Sequence, residues 1–423
     1  MSRWAIVLEQ CDGLIKNGQI QKARHLILQQ RKLHVALDSP KTAIRYVQIL
    51  RRVGLLSTAI QTLSSLDPAL KSDTDLILEE AGVLMDAGLS TKAERKLLEL
   101  PNKLHRAQML LGMLKVTQWD FDSASVYFSK ASDLAEPLSY EGKLARLNAL
   151  NTQIHLIDPD SWRSQRRQLS EAPLEPLLNQ WLDFLDTQHE FFFGSRPAAI
   201  ERFQNGNHEG RLGLVAAKWH LIASASKTGS PPSRSAILKF KNETQAEQAF
   251  EVLRDSDFIL AVMQNDSIRA HRVLSQTRWP AYIKHAERIA RRLAPDLSIE
   301  PKRWVFDDSK QASAKSVVLG NPIRFLNDSH SKNLLPHHEA QLFYCLARDT
   351  YSPINPSAAF ESVYPDADYD DIASGDRIRK LYSRLQKRLT KLDSGIVLKR
   401  THNHRVQSDF SHSHWQLYRR VAA

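Results

Sequence analysis

The residues in this sequence best suited to chemistry are cations. Arg377, Lys380, Arg384, Lys387 and Lys391 step by three and four along one stretch, so on an α-helix they share a face. At 1.5 Å per residue the row is roughly 20 Å long. Ile378, Leu381, Tyr382, Leu385 and Leu389 recur at helical spacing and form an apolar stripe beside it, about 100° around the same helix. A strand-like segment from Ile396 to Leu398 follows, leading into Lys399, Arg400 and Arg405. From Ser374 to Arg405 ten Lys and Arg stand against Asp376 and Asp393. A row of this kind makes charge-assisted hydrogen bonds to carboxylate or phosphate oxygens. A solvated amphipathic helix would explain the helix alone. Coupled to a basic hairpin, a duplex-reading element explains more.

Other chemistry finds weaker support. His402-Asn403-His404 spells a nuclease-like tripeptide, and His330, His337, His338, His412 and His414 enrich the last third in histidine. Metal binding needs a defined set of converging ligands, and no ββα-metal pattern or paired cysteines accompany them. Asp307-Asp308 and Asp370-Asp371 read as solvated acidic turns. No phosphate-binding loop, nucleophile elbow or HExxH occurs. The expectation is a protein that is not an enzyme, with no cofactor and no metal.

The elements that must position the cations come from a chain of 423 residues, long enough for two or three domains. Apolar content of 42% and charged content of 25% are those of globular protein rather than disorder. Only 15 glycines argue against a many-turned all-β enzyme. The net charge is +11, and the Ser374–Arg405 stretch supplies +8 of it, a concentration that favours a polyanionic partner. Two cysteines, Cys11 and Cys345, imply neither a disulfide framework nor a zinc site. The first residues lack the run and cleavage site of a signal peptide, and no stretch approaches ~18 uninterrupted apolar residues. The expected location is the cytoplasm, with no membrane contact.

The first part of the chain repeats itself. KNGQIQKARHLIL, RRVGLLSTAIQTL, DAGLSTKAERKLL and TQWDFDSASVYFSKA align, with Ala23, Ala59, Ala93 and Ala124 spaced by 36, 34 and 31 residues. Gly18, Gly54 and Gly88 stand at the turns, where glycine supplies the left-handed conformation that stops a helix. A short side chain on the second helix lets antiparallel helices approach closely. Pro68, Pro101 and Pro137 punctuate the ends of units. This period resembles tetratricopeptide repeats, with their aromatic and proline signature positions only partly filled. Helical patterns continue at 174–193, 212–223 and 245–293, where Phe191-Phe192-Phe193 reads as a buried helix junction. Such arrays present long concave surfaces to peptides or partner helices.

Beyond the change of composition at 294–316 the period becomes strand-like. Ser316–Leu319 and Ile323–Leu326 flank Gly320-Asn321-Pro322, and Pro336 opens a helix expected to bury Leu342, Phe343, Leu346 and Ala340. A helix over Ser357–Val363, an acidic loop, the basic helix and the hairpin complete the order. This order resembles the OmpR/PhoB-type winged helix-turn-helix domain, on Leu335, Pro336 and Glu339, the Phe360–Tyr364 helix exit, the run Ser383-Arg384-Leu385-Gln386-Lys387-Arg388-Leu389 and the basic Lys399-Arg400. The chain departs from that pattern at the wing tip, where Thr401-His402-Asn403 stands in place of a glycine-rich turn. The resemblance implies that the third helix enters the major groove and the wing touches an adjacent groove or the backbone. Arg377, Lys380 and Arg384 would then read bases and phosphates, and Lys387, Arg400 and Arg405 would clamp phosphates.

The expected fold is mainly α: a tetratricopeptide-like α-solenoid over residues 1–295, a linker over 296–315, a small α+β winged helix over 316–410 and a tail over 411–423. The expected function is a DNA-binding transcriptional regulator. Its DNA-binding set is Arg377, Lys380, Arg384, Lys387, Lys391, Lys399, Arg400 and Arg405. The expected partners are double-stranded DNA and a protein or peptide on the repeats, with RNA polymerase among the candidates, and self-association as a homodimer. The rival expectation is a scaffold that uses both parts to bind proteins.

Overall fold

The computed structural model describes residues 3–17, 19–29, 39–169, 173–205, 215–222, 232–246, 249–275, 277, 279–297, 304–306, 315–319, 324–327, 330–332, 335–365, 367, 373–392, 396–400, 406–409 and 416–419. The fold is mainly helical, as the sequence leads one to expect. It divides into two compact units, one of Met1–Leu114 with Asn355–Lys380 and one of Lys115–Ile354 with Leu381–Ala423.

The first unit holds helices α1 (Arg3–Lys16), α2 (Ile20–Gln29), α3 (Pro40–Arg52), α4 (Leu56–Ser65), α5 (Pro68–Lys71), α6 (Thr74–Asp86), α7 (Ser90–Leu98) and most of α8 (His105–Thr117). Helices α1/α2, α3/α4 and α6/α7 form hairpins. Ala23, Ala59 and Ala93 are fully buried in the second helix of each, where a longer side chain would push the helices apart. The helix entries are specified locally. Ser39 and Asp73 accept hydrogen bonds from the backbone N–H groups of Thr42 and Leu76, satisfying donors the first turn would leave unpaired.

One turn recurs between helices. Gly54 and Gly88 hold φ of 74° and 78°, and the next residue's N–H reaches back five positions, Leu55 to the Leu50 carbonyl and Leu89 to the Leu84 carbonyl, both at 2.8 Å. This hydrogen-bond pattern closes a helix through a left-handed residue. Among the described residues it recurs with a non-glycine residue in the left-handed place. Trp119 (φ 63°), Ile157 (φ 58°) and Asn265 (φ 54°) precede Asp120, Asp158 and Asp266, whose N–H groups reach Lys115, Gln153 and Ala261. Each aspartate then caps the following helix, accepting from Ser123, Ser161 and Arg269. A non-glycine residue here costs roughly 1–2 kcal/mol. At Trp119 the indole is buried edge-on against Tyr282 at 4.7 Å and Phe121 at 5.8 Å, which offsets that cost. Ala124 and Ala270, five residues after their turns, are buried completely. The segment around Asn265 therefore uses the same turn as the first unit, although it carries no glycine signal. Gly18 lies outside the described residues.

The second unit contains α9 (Phe121–Leu134), α10 (Tyr140–Leu156), α11 (Pro159–Leu169), α12 (Pro176–Phe193), α13 (Arg196–Asn205), α14 (residues 215–222), α15 (Arg234–Ala246), α16 (Phe250–Met263), α17 (Ser267–Ser275) and α18 (Pro280–Leu293). Helix α10 is central to its packing and touches α9, α11, α12 and α18. The core joins Phe121, Leu147, Leu150, Phe184, Phe258 and Tyr282 among others. Phe191 and Phe192 are buried at the end of α12 against Trp219, the helix junction that the triple phenylalanine suggests.

Strands β1 (Trp304–Phe306), β2 (Lys315–Leu319), β3 (Arg324–Asn327), β4 (His330–Lys332) and β7 (Gln416–Arg419) form one sheet in the order β1-β7-β2-β3-β4. Strand β7 runs parallel to β2 and antiparallel to β1. Two findings differ from expectation. Residues 304–306 of the supposed linker are a strand, and residues 416–419 of the supposed tail are an inner strand of this sheet. The reason is common to both: each segment is too short to display a period, and its pairing partner lies more than a hundred residues away in sequence. Helices α19 (His337–Ala347), α20 (Pro356–Val363) and α21 (Ala373–Lys391) precede the hairpin of β5 (Val397–Arg400) and β6 (Val406–Asp409). The division into units falls within α21, and α20 belongs to the first. Helix α19 buries Leu342, Phe343 and Leu346, and Ala340 is only half-buried. No helix among the described residues is long and apolar enough to cross a membrane.

Substituting Ala93→Leu tests the close approach of α6 and α7. Overpacking there is expected to cost about 1–3 kcal/mol, read as a lower thermal midpoint by circular dichroism. An unchanged midpoint would show that the alanine is not what sets the helix spacing.

Candidate nucleic-acid interface

Helix α21 carries the cations because one of its faces is forced into the core. Ile378, Leu381, Leu385 and Leu389 are 3%, 1%, 0% and 0% exposed, so the adjacent positions Arg377, Lys380, Arg384, Lys387 and Lys391 are in solvent. Arg377, Lys387 and Lys391 make no ion pair with another described residue. Their neighbours differ. Arg379 pairs with Asp376, and that contact, helped by Lys380, holds the Asp376 carboxyl below its ordinary range. Arg388 and Arg384 approach the buried carboxylate of Glu339 on α19, at 2.5 and 3.9 Å. Arg384 thus sits near a structural counter-charge that the linear row does not reveal, while its side chain stays 63% exposed.

The hairpin is fastened to this helix through one residue. The Tyr382 hydroxyl donates to the Leu398 carbonyl at 2.5 Å, and the Leu398 N–H donates to Gln386 Oε1 at 2.8 Å. Both free backbone groups of Leu398 are thereby satisfied by two side chains one turn apart on α21. On the other strand, Ser408 pairs with Leu398 in register, and its hydroxyl donates to the Leu346 carbonyl at the end of α19, 2.8 Å away. Strand alternation buries Ile396 and Leu398 and turns Val397 and Lys399 outward. Arg400 ends β5, and Arg405 lies outside the described residues. The sequence placed Tyr382 on the apolar side, where it is half-buried. The role of Gln386 is not visible in the sequence, because its partner is a backbone amide twelve residues away.

A second polar constellation, unseen in the sequence, sits inside the second unit. The Lys218 ammonium donates to Asp255 Oδ2 at 2.7 Å, and His285 Nε2 is 3.4 Å from Asp255 Oδ1. Lys218, Asp255 and His285 are all buried. Burial alone would raise the Asp255 pKa. The Lys218 charge and the His285 contact outweigh it and hold the carboxyl well below the usual range. His155 packs face to face on Phe121 at 4.2 Å and against Trp119 and His285. Burial and the neighbouring His285 push its pKa well below 6.5. These are groups used in acid–base catalysis, but here they are enclosed by aromatic rings and committed to one another. Among the described residues no three His, Cys, Asp or Glu side chains converge as metal ligands.

The first unit has an open cleft of about 470 Å³ lined by Gln48, Arg51, Arg52, Glu79, Asp86 and Arg106. The buried carboxylate of Glu79 accepts from Gln48 at 2.9 Å and from Arg106, and Arg51 bonds Asp86 at 2.5 Å. Arg51 packs against α6 at Gly82, where an added Cβ would come within 2.6 Å of its Nη1. The cleft holds guanidinium groups in fixed positions, with their exposed edges in solvent.

His155 sets a pH dependence whose sign is fixed. Its folded pKa is depressed, so below about 6.5 the unfolded chain takes up a proton that the folded chain refuses. Stability from this group is therefore present above that pH and lost on acidification, by up to about 1.4 kcal/mol per pH unit. Asp255 contributes in the same direction only below its unfolded value of 3.8. The thermal midpoint is expected to fall between pH 7.5 and 5, and His155→Phe, which retains the stack on Phe121, is expected to flatten that fall. An equal slope in the variant would contradict the assignment.

Compared with known proteins, the chain matches no family model, and no curated protein is significantly similar to it.

Proposed function

We propose that this protein is a DNA-binding regulator in which α21 is the groove-reading helix and the β5–β6 hairpin is the wing beside it. The observation that carries the reading is the cation row of α21, exposed along one helix whose neighbouring face is completely buried. An α-helix of 10–12 Å diameter fits a major groove about 12 Å wide. The order of strands, α19, α20, α21 and hairpin along the chain agrees with the winged helix-turn-helix resemblance. The fastening of Leu398 to Tyr382 and Gln386 supports a wing held in fixed relation to the helix beside it. Arg377, Lys380, Lys387 and Lys391 contact phosphates or base edges, Lys399 and Arg400 extend the charge onto the wing, and Arg405 belongs to its tip. Arg384, shared with Glu339, is a weaker ligand than its position in the row suggests.

The helical hairpins form a solenoid of the tetratricopeptide type, and the cleft at Arg51, Arg52 and Arg106 supports binding of a protein or peptide partner there. The reading is non-enzymatic, without cofactor, and places the protein in the cytoplasm. A scaffold that uses the same cations to meet an acidic protein surface is the competing reading.

Salt dependence separates them. Full-length protein is expected to bind random duplex DNA with a log–log salt slope near −0.9 per phosphate contact. Replacing Arg377, Lys380 and Lys387 together by alanine is expected to flatten the slope by about two to three units, since each is expected to meet a phosphate. Arg384 is left in place so that Glu339 keeps its partners. A folded protein that ignores duplex at low salt, or a slope the triple variant leaves unchanged, would favour the scaffold.

A further inference from the structure

Within the second unit, the segment that follows α19 is bolted to a distant helix. Arg254 of α16 and Asp349 lie 95 residues apart, and Arg254 Nη2 reaches both carboxylate oxygens of Asp349 at 2.7 Å. Their side chains are 1% and 0% exposed. The guanidinium lies over the rings of Tyr282 and Tyr351, 5.5 and 5.6 Å from their centroids. Burial works against the Arg254 charge, and Asp349 restores it and raises its pKa. Asp349 also accepts from the Ser352 N–H at 3.1 Å, which closes the turn after α19. One helical turn further along α16, Asp257 accepts from the Tyr351 hydroxyl at 2.8 Å and from Arg269 at 3.3 Å.

From this bolt the connections run on without a gap. Helix α19 holds β6 through Ser408 and Leu346 and holds the later part of α21 through Glu339 and Arg388. Strand β5 is pinned to the same part of α21 through Leu398. We propose that the Arg254–Asp349 pair is a latch that makes the α19–hairpin segment part of one cooperative unit with α16, so that the basic hairpin does not fold or open as an independent module. The physical ground is asymmetric. A fully buried charge is tolerated only with its partner, and removing one member leaves the other desolvated and unpaired. With Asp349 neutral, the cheapest response is for residues 337–354 to lift off α16 and let water reach Arg254. The latch would carry a disturbance of α16 to the hairpin without any flexible tether between them.

Hydrogen–deuterium exchange on the full chain tests this and reads no DNA binding, so it stands apart from the functional reading. In the wild type, amides of α16, α19 and β6 are expected to share one denaturant dependence, that of a single opening. Asp349→Asn, which keeps an acceptor for Ser352, is expected to speed exchange in α19 and β6 at least tenfold while α10 keeps its protection. Separate openings in the wild type, or unchanged exchange in α19 and β6 of the variant, would overturn the proposal. Should Asp349→Asn lose protection throughout, Tyr351→Phe decides. It removes only the bond to Asp257 and is expected to speed exchange in the same segments by a smaller factor, and unchanged rates there would overturn the latch.

Discussion

Four aliphatic side chains on one helix, Ile378, Leu381, Leu385 and Leu389, must be kept from water. Each contributes roughly 1.5–3 kcal/mol when buried. That requirement fixes the rotation of α21, and the rotation decides which cations stand in solvent. It also aims Tyr382 and Gln386 at Leu398, so the hairpin inherits its place from the same constraint. Cations alone would not make such a surface: on a helix free to turn, the row would have no defined direction. The apolar stripe converts a local excess of charge into an oriented one.

The helices elsewhere depend on a turn that the chain builds from several kinds of residue. Glycine enters the left-handed conformation at little cost, and two glycines do so in the first unit. In the second unit the same geometry is taken by Trp119, Ile157 and Asn265, each followed by an aspartate that both closes one helix and caps the next. The second unit therefore keeps this turn geometry while its turn chemistry changes. Its interior has also accepted ionisable groups, and Lys218–Asp255 and Arg254–Asp349 are buried pairs whose desolvation cost offsets much of their mutual attraction.

What was legible in the sequence was what is local. The period of α21, the strands β2 and β3, the alanines after the turns and the glycine at Gly88 all declare themselves within a dozen residues. The turn at Asn265 is harder to see because its residue is not glycine, although Asn265-Asp266 with Ala270 five residues after the turn is a usable signal. Contacts at long separation were not legible. Glu339 and Arg384 are far apart in sequence, as are Lys218 and Asp255, and nothing in either stretch marks the other. Strands β1 and β7 fall in stretches that look like linker and tail for the same reason: three or four residues carry no period, and only their pairing reveals them. Arg384 is the instructive residue, since its spacing placed it with the solvent-facing row and its geometry gives part of it to Glu339.

The most direct test of the account is the reactivity of α21 itself. Full-length protein would be acylated briefly at lysine, with and without excess duplex DNA at low salt, and the extent at each site read by mass spectrometry. Lys239 on α15, 79% exposed on its side chain, serves as the internal reference. Lys380, Lys387 and Lys391 are expected to be protected several-fold by duplex while Lys239 is unchanged. Equal labelling of the α21 lysines in the presence and absence of DNA, with binding verified in the same sample, would contradict it.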